Sequence, residues 1–307
     1  MQANVNRKQV NGILIIDKPE GLTSHDVVSR VRRLLKTKRV GHTGTLDPFA
    51  TGVLVMLIGV ATRLAQFIDK DEKEYRATVR FGSETDSGDR TGSITSETAD
   101  AAEVLSGLSI GGWEHILNSF RGTIEQIPPM HSAKKIAGKK LYELARQGIE
   151  VERPAAVVKI SKLEIVEGSI SETEAELHVV CSAGTYIRAL AEDIGRKIGT
   201  SAHLTELRRT RAGTYSIEDA LTLDSLAALE DPGSVLLPIE SAVAHLAKFV
   251  LAADRIDKTR SGLSTRTFDE RYADGESVAM FDEDSALIAV GTFDLEENCV
   301  RPKIVLI

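Results

Sequence analysis

Two short apolar runs set the frame of the N-terminal third. Residues 11–17 (NGILIID) end in Lys-Pro and predict a strand followed by a turn. Residues 53–58 are apolar throughout and predict a buried strand. Between them, Thr23 and Asp26 have capping-box spacing, and Val27, Val28, Val31, Leu34 and Leu35 recur at helical intervals. The other face of that helix carries Arg30, Arg32, Arg33 and Lys36, and runs on into Lys38 and Arg39. Such a stripe is either a solvated helix face or a phosphate-contacting surface.

Further along, residues 40–52 are rich in Gly, Thr and Pro and predict a loop. A short helix is expected over 62–68, an alternating strand over 74–81, and a long polar connection over 82–100. Residues 113–120 predict a short amphipathic helix. Ile127-Pro128-Pro129-Met130 cannot be a central strand. One or two helical turns over 141–147 end at Gly148. Strands follow over 157–166 and 174–181, broken by Ser182-Ala183-Gly184. A helix then starts near Thr185, with Ile187, Leu190, Ala191, Ile194 and Ile198 on one face. Residues 203–211 form a short basic stretch. From about residue 249 the pattern changes to apolar runs at 277–281, 286–290 and 303–307, which predicts a small β-rich domain.

Composition narrows the function classes. The 42% hydrophobic and 27% charged fractions are those of an ordinary globular protein. No apolar run reaches the roughly 18 residues of a membrane span. The polar stretch 1–10 lacks an apolar signal core, so no secretory signal is expected. Two distant cysteines, Cys181 and Cys299, exclude a disulfide scaffold and fit a reducing, cytoplasmic setting. The net charge of −7 argues against a nucleic-acid partner until its distribution is considered. Residues 1–70 carry 11 Lys/Arg against 5 Asp/Glu, whereas residues 214–307 carry 8 against 18. A basic N-terminal segment with an acidic tail permits an anionic partner on one face.

The loop Gly41-His42-Thr43-Gly44-Thr45-Leu46-Asp47-Pro48 surrounds one carboxylate with small, polar and turn-forming residues. Asp before Pro is held extended, which fixes the direction of its side chain. By the residues alone, Asp47 is either a catalytic carboxylate on a loop or an ordinary turn residue. No His, Cys or carboxylate cluster has metal-ligand spacing, and no phosphate-loop, dinucleotide or nucleophile-elbow motif occurs. Asp86 and Asp89 lack calcium-loop spacing and read as a polar loop. Cys181 falls on an alternating strand and reads as a small core residue.

Several blocks, in order, resemble the TruB family of tRNA pseudouridine synthases. They are 12–24 (GILIIDKPEGLTS), 41–52 (GHTGTLDPFATG), 74–77 (EYRA), 85–92 (TDSGDRTG), 120–148 (FRGTIEQIPPMHSAKKIAGKKLYELARQG), 181–190 (CSAGTYIRAL) and 203–210 (HLTELRRT). The resemblance spans residues 10–215 and continues more weakly through a PUA-like segment. It implies an α+β pseudouridine synthase fold over residues 10–240, with a mixed, mostly antiparallel sheet flanked by helices. A β-rich PUA-like domain is expected over 248–307.

The activity it implies is isomerisation of a tRNA T-loop uridine, at the position conventionally numbered fifty-five, by base flipping and glycosidic exchange. Neither cofactor nor metal nor nucleotide is expected. The partner is the tRNA T-stem-loop, and the protein is expected to act as a cytoplasmic monomer.

Residue roles follow from the same resemblance. Asp47 is the catalytic carboxylate and Arg188 its charge partner, which explains an arginine in a first helical turn against the helix dipole. Tyr75 stacks on the extruded base, Tyr186 lies near C5 as a candidate base, and His42 fills the vacated space. Lys18 with Pro19, and Ser132 with Lys135, shape the pocket or touch RNA backbone. Arg208, Arg209 and Arg211, with the Arg30–Arg39 surface including Arg33, are expected phosphate contacts. The chain departs from the common pattern at His131, where tyrosine is usual.

Two relatives of this activity stay open: a tRNA-folding chaperone of the same family, and a guide-dependent rRNA enzyme. A glycosidase reading lacks a second acid beside Asp47.

Overall fold

The structure, a computed structural model, describes residues 10–68, 72–132, 134–136, 138–145, 147–267 and 271–306. The stretch 1–9 and the side chain of Lys135 lie outside the described residues.

Strand β1 (Gly12–Lys18) enters α1 (Ser24–Leu34) through a complete Thr23–Asp26 capping box. Such a cap is worth about 1 kcal/mol. Strands β2 (Val40–Thr43) and β3 (Thr51–Ile58) follow, then a 3₁₀ turn (Gly59–Leu64) and α2 (Ala65–Ile68). After β4 (Lys73–Phe81), the polar connection folds into a hairpin of β5 (Ser83–Thr85) and β6 (Ile94–Glu97). Helices α3 (Ala101–Ser106) and α4 (Ile110–Asn118) lead to β7 (Gly122–Gln126). A small excursion holds β8 (Lys135–Ile136), β9 (Lys139–Lys140) and α5 (Leu141–Ala145). Strands β10 (Ala156–Ile165) and β11 (Glu174–Cys181) run into α6 (Ile187–Ile198), which ends at left-handed Gly199. Then come β12 (Ala202–Ala212), β13 (Tyr215–Ser216) and α7 (Leu223–Ala228). The C-terminal part comprises β14 (Ala247–Val250), α8 (Ala253–Arg260), β15 (Thr265–Arg266), β16 (Ser277–Phe281), β17 (Leu287–Asp294) and β18 (Cys299–Val305).

The main sheet has the order β1-β3-β12-β4-β11-β10-β7, with β2 on β3 and β13 on β12. Its neighbours are antiparallel except for β3 and β12, which run parallel where Thr51 and Gly52 face Arg208 and Arg209. This is the mixed, mostly antiparallel sheet the resemblance implies. The C-terminal strands form a separate five-stranded sheet, β14-β16-β17-β18-β15, consistent with a PUA-like unit.

Burial explains the two kinds of strand pattern. On β1, Leu14 and Ile16 face the core under α1 and α6, whereas Ile13 and Ile15 face the C-terminal sheet. On β3, Leu54, Met56 and Ile58 face the first core, and Val53, Val55 and Leu57 the second. Strands covered on both faces read as unbroken apolar runs. On β4 only Tyr75, Ala77, Val79 and Phe81 are buried in the core, so that strand alternates.

Three expectations need correcting. Residues 40–43 are a strand, because β2 pairs with β3 from Val40↔Ile58 to Thr43↔Val55, and the loop proper begins at Gly44. The 82–100 connection is in part a hairpin. The basic stretch 203–211 is the central strand β12, which inserts between β3 and β4.

Candidate active site

The catalytic candidate sits on the loop between β2 and β3, and several elements pin that loop. Ser24, at the start of α1, accepts from the Leu46 N–H at 2.9 Å and donates its hydroxyl to the Leu46 carbonyl at 3.1 Å. Lys18, at the end of β1, is fully buried and donates to the carbonyls of Pro19, Leu22 and Pro48. The Gly21 N–H also donates to the Pro48 carbonyl. Arg209, only 1% exposed, reaches across from β12 and donates to the carbonyls of Val53 and Gly44. Gly52 makes this crossing possible. Its φ is +100°, and a Cβ there would lie 2.1 Å from the Arg209 carbonyl oxygen.

Held in this way, Asp47 meets Arg188, whose Nε lies 2.9 Å from Asp47 Oδ2. The Arg188 side chain is 5% exposed and that of Asp47 35%, so the carboxylate keeps one open side. The rest of the guanidinium is also committed. It donates to the carbonyls of Ser87 and His131, and Asp89 stands 3.8 Å away. Asp89 is itself buried and accepts from the Thr91 N–H and hydroxyl. Arg188 therefore ties together α6, the 85–92 loop and the 131–132 wall around Asp47. The His131 contact uses its backbone, so histidine in place of tyrosine leaves that bond intact.

Asp47 opens into a cavity of about 230 Å³, whose walls include Tyr75, Tyr186, Ser132, Lys73, Arg209 and the 182–185 turn. That is smaller than the ~300–1,000 Å³ of drug-sized sites and suits a single-ring base. Burial pushes the Asp47 carboxyl above the ordinary carboxylate range. Arg188 opposes the rise and Asp89 adds to it. Burial likewise raises the Tyr75 phenol against a hydrogen bond from Arg209. Burial lowers Lys18 to about 8, with Asp47 opposing. The buried Cys181 thiol is pushed up to about 11 and stays neutral, in keeping with a core role. The Ser132 hydroxyl is a buried pocket-wall group with no hydrogen-bond partner among the described residues.

The structure thus brings Asp47, Tyr75, Tyr186 and Arg188 to one cavity. His42 lies beside it on β2, with its Nε2 3.3 Å from Thr45 Oγ1. Arg30 and Arg33 are exposed on α1, with Lys36, Lys38 and Arg39 exposed beyond it. Other expected RNA contacts have partners within the chain. Lys18 and Arg209 are buried and fasten the catalytic loop. Arg208 is held bidentately by Asp17 at 3.0 and 2.8 Å, and Arg211 by Glu74 at 2.9 Å. The residues themselves show a cation without showing which way it points. Ser24, Gln126 and Lys73 escaped singling out, although Ser24 and Gln126 lie inside the resembling blocks, and Asp89 reads in the sequence only as part of a polar loop.

Comparison with known proteins agrees with this geometry. A family model described as the TruB family pseudouridylate synthase N-terminal domain matches residues 32–187. The chain belongs to the TruB family. A model of the tRNA pseudouridylate synthase B C-terminal domain continues the match over residues 188–244. The tRNA pseudouridine synthase B of Heliobacterium modesticaldum is 45% identical over 284 residues, covering 92% of this chain and 90% of that protein. Its Bacillus subtilis counterpart is 40% identical, covering 92% of each. That of Bordetella avium is 48% identical over 77% of this chain and 95% of its own. Among solved structures, a Cbf5–Nop10–Gar1 complex aligns with a TM-score of 0.72 and 26% identity, over 96% of this chain and 85% of that one. An H/ACA RNP bound to a substrate RNA containing 2′-deoxyuridine aligns at 0.68 and 25%, with the same coverage.

Proposed function

We propose that this chain isomerises a uridine in the T-loop of tRNA, at the position conventionally numbered fifty-five, to pseudouridine. The observation that carries the reading is Asp47, fixed by Arg188 at 2.9 Å on the wall of a base-sized cavity that Tyr75 and Tyr186 also line. The C1′–N1 bond of the uridine breaks, and a C1′–C5 bond forms after the uracil turns. The proton lost from C5 is balanced by the one gained at N1, so the reaction is redox neutral.

Each step makes a demand on the chain. Extruding the base from the loop costs stacking and pairing, which an aromatic wall at Tyr75 offsets. The ionised form of Asp47 assists glycosidic cleavage, and Arg188 keeps it ionised against the pull of burial. Tyr186 on the same cavity is the group we assign to relay the C5 proton, its hydroxyl oxygen accepting that proton as its own O–H proton passes on to solvent, from which N1 regains one. The Ser132 hydroxyl, without a partner among the described residues, fits a polar ligand, since buried hydroxyls are ordinarily paired. The exposed Arg30 and Arg33 supply phosphate contacts, so one basic face serves a protein of net charge −7.

We read residues 10–240 as the catalytic unit and 248–307 as a PUA-like unit packed on the outer face of β1 and β3. We place the protein in the cytoplasm as a monomer. The similarity to the tRNA pseudouridine synthase B relatives favours a stand-alone tRNA enzyme over a guide-dependent one.

The test is an unmodified tRNA transcript incubated with the purified protein alone, with and without a chelator, followed by base-resolution mapping of pseudouridine. Modification of the T-loop uridine in both arms supports the reading. No modification, or modification at rRNA sites only, overturns it.

A further inference from the structure

Gln126 ends β7 and is 2% exposed, yet it touches neither the cavity nor solvent. Both ends of its amide bond one residue. Oε1 accepts from the Tyr186 N–H at 2.7 Å, and Nε2 donates to the Tyr186 carbonyl at 3.0 Å. A side-chain amide here does what a neighbouring strand's backbone would do. Tyr186 is the N-cap of α6 and has extended dihedrals, and its own side chain makes no capping bond. Its N–H lies outside the helical bonding pattern and needs an external partner. Two residues on, Arg188 leaves the first turn of the same helix to meet Asp47.

From this geometry we infer that Gln126 is the positioning residue for the Tyr186–Arg188 corner. It sets the angle at which the chain turns from the 182–185 loop into α6. It thereby fixes both the tyrosine on the cavity wall and the root of the arginine that charges Asp47. Residues 127–131 continue from Gln126 into the Pro-Pro segment and the His131 carbonyl that Arg188 also uses. One short segment therefore acts on this corner twice, on the Tyr186 backbone two residues before Arg188 through Gln126, and on the Arg188 guanidinium through the His131 carbonyl. The inference rests on the proposed reaction for its catalytic readout but not for its structural one.

Three variants test it. Gln126→Leu keeps the bulk and removes both bonds. A displacement of about 1 Å at reacting groups costs on the order of 100-fold in rate. The expected outcome is a fall of that order in single-turnover rate, with tRNA affinity within about threefold of wild type. Gln126→Asn keeps the amide but is one methylene short, and is expected to fall between the two. Gln126→Glu gives a readout that packing alone would not move. When protonated, its carboxyl can both donate to the Tyr186 carbonyl and accept from its N–H. When ionised it can only accept, and it repels the carbonyl. Burial favours the protonated form. The ratio of its rate to the wild-type rate at the same pH is therefore expected to rise as pH falls. The ratio is read on the alkaline plateau of both rate profiles, where Asp47 is ionised in both proteins. All rates are measured well below the melting temperatures.

In parallel, amide hydrogen exchange of peptides spanning residues 183–190 is expected to accelerate in Gln126→Leu, with the β4 and β12 peptides unchanged. A Leu variant with wild-type rate, a flat pH ratio for the Glu variant, or unchanged exchange over 183–190 overturns the inference. If wild-type protein forms no pseudouridine, the reaction assignment fails, and the exchange experiment still decides the role of Gln126.

Discussion

Replacing Arg188 by methionine isolates the electrostatic part of the site. The guanidinium is 5% exposed, touches Asp47 at 2.9 Å and has Asp89 at 3.8 Å, so its loss removes the cation in contact with both carboxylates. Opposite charges with centres about 4 Å apart interact by about 4 kcal/mol at an effective dielectric of about 20. The open side of Asp47 lets solvent screen part of this, which brings the expected loss to about 2–4 kcal/mol. At 1.36 kcal/mol per decade, the ratio of ionised to protonated Asp47 falls by about 30- to 1,000-fold at fixed pH.

The direction with pH follows. In the wild type, burial already raises the Asp47 pKa, so activity is lost as pH falls through that raised value. In Arg188→Met the acid limb of the rate profile moves further to alkaline pH, and part of the lost rate returns as pH rises. Single-turnover rates on tRNA transcript across the neutral and mildly alkaline range, with circular dichroism to confirm folding, measure this. A variant whose plateau drops while its acid limb stays in place would show that Arg188 does not hold the charge on Asp47, and would refute the argument.

Three further outcomes are expected. The Asp47 carboxyl binds its proton more tightly folded than unfolded, so its charge burdens the fold above the raised pKa and ceases to do so below the ordinary value of about 3.9. Asp47→Asn should therefore melt higher than wild type at neutral pH, and the gain should shrink in acid; a lower neutral melting temperature would contradict this. Ser132→Ala should lower the single-turnover rate by about fivefold, the loss of one hydrogen bond of roughly 1 kcal/mol, without lowering the melting temperature, because the hydroxyl has no partner among the described residues to lose. Arg30→Glu with Arg33→Glu should weaken tRNA binding and reduce the slope of log affinity against log salt by about 1–2; an unchanged slope would make that face of α1 merely solvated.

How far the residues disclosed this molecule depended on which physical signal each element carried. Strands β11 and β16 end where alternation and apolar runs end, because Ser182-Ala183-Gly184 and Asp282 follow them. Helix α1 was legible from its capping box. Strand β12 was not, because register shifts between Leu204 and Glu206 and between Arg209 and Arg211 break its period of two. Buried His203 and Arg209 then masked it as a basic surface. Strand β7 is a mostly exposed edge and carries little apolar signal. In the site, Asp47 was visible as a loop carboxylate, but its chemistry depended on Arg188, 141 positions away in the numbering. Lys18 and Arg209 turn inward to carbonyl oxygens, and a lysine or arginine next to a loop looks alike in sequence whether it faces solvent or such oxygens. The Asp89 support of Arg188 was hidden in a loop whose composition is that of any polar turn.

The reading of the site stands on Asp47, and one paired measurement bears on it most directly. Wild-type protein and Asp47→Asn are incubated with the same unmodified tRNA transcript, and pseudouridine is mapped at base resolution while tRNA binding is measured in parallel. The expected result is a modified T-loop uridine with wild type, no detectable product with Asp47→Asn, and tRNA affinities within a few fold of each other. Turnover by Asp47→Asn would move the chemistry to another residue and contradict the account.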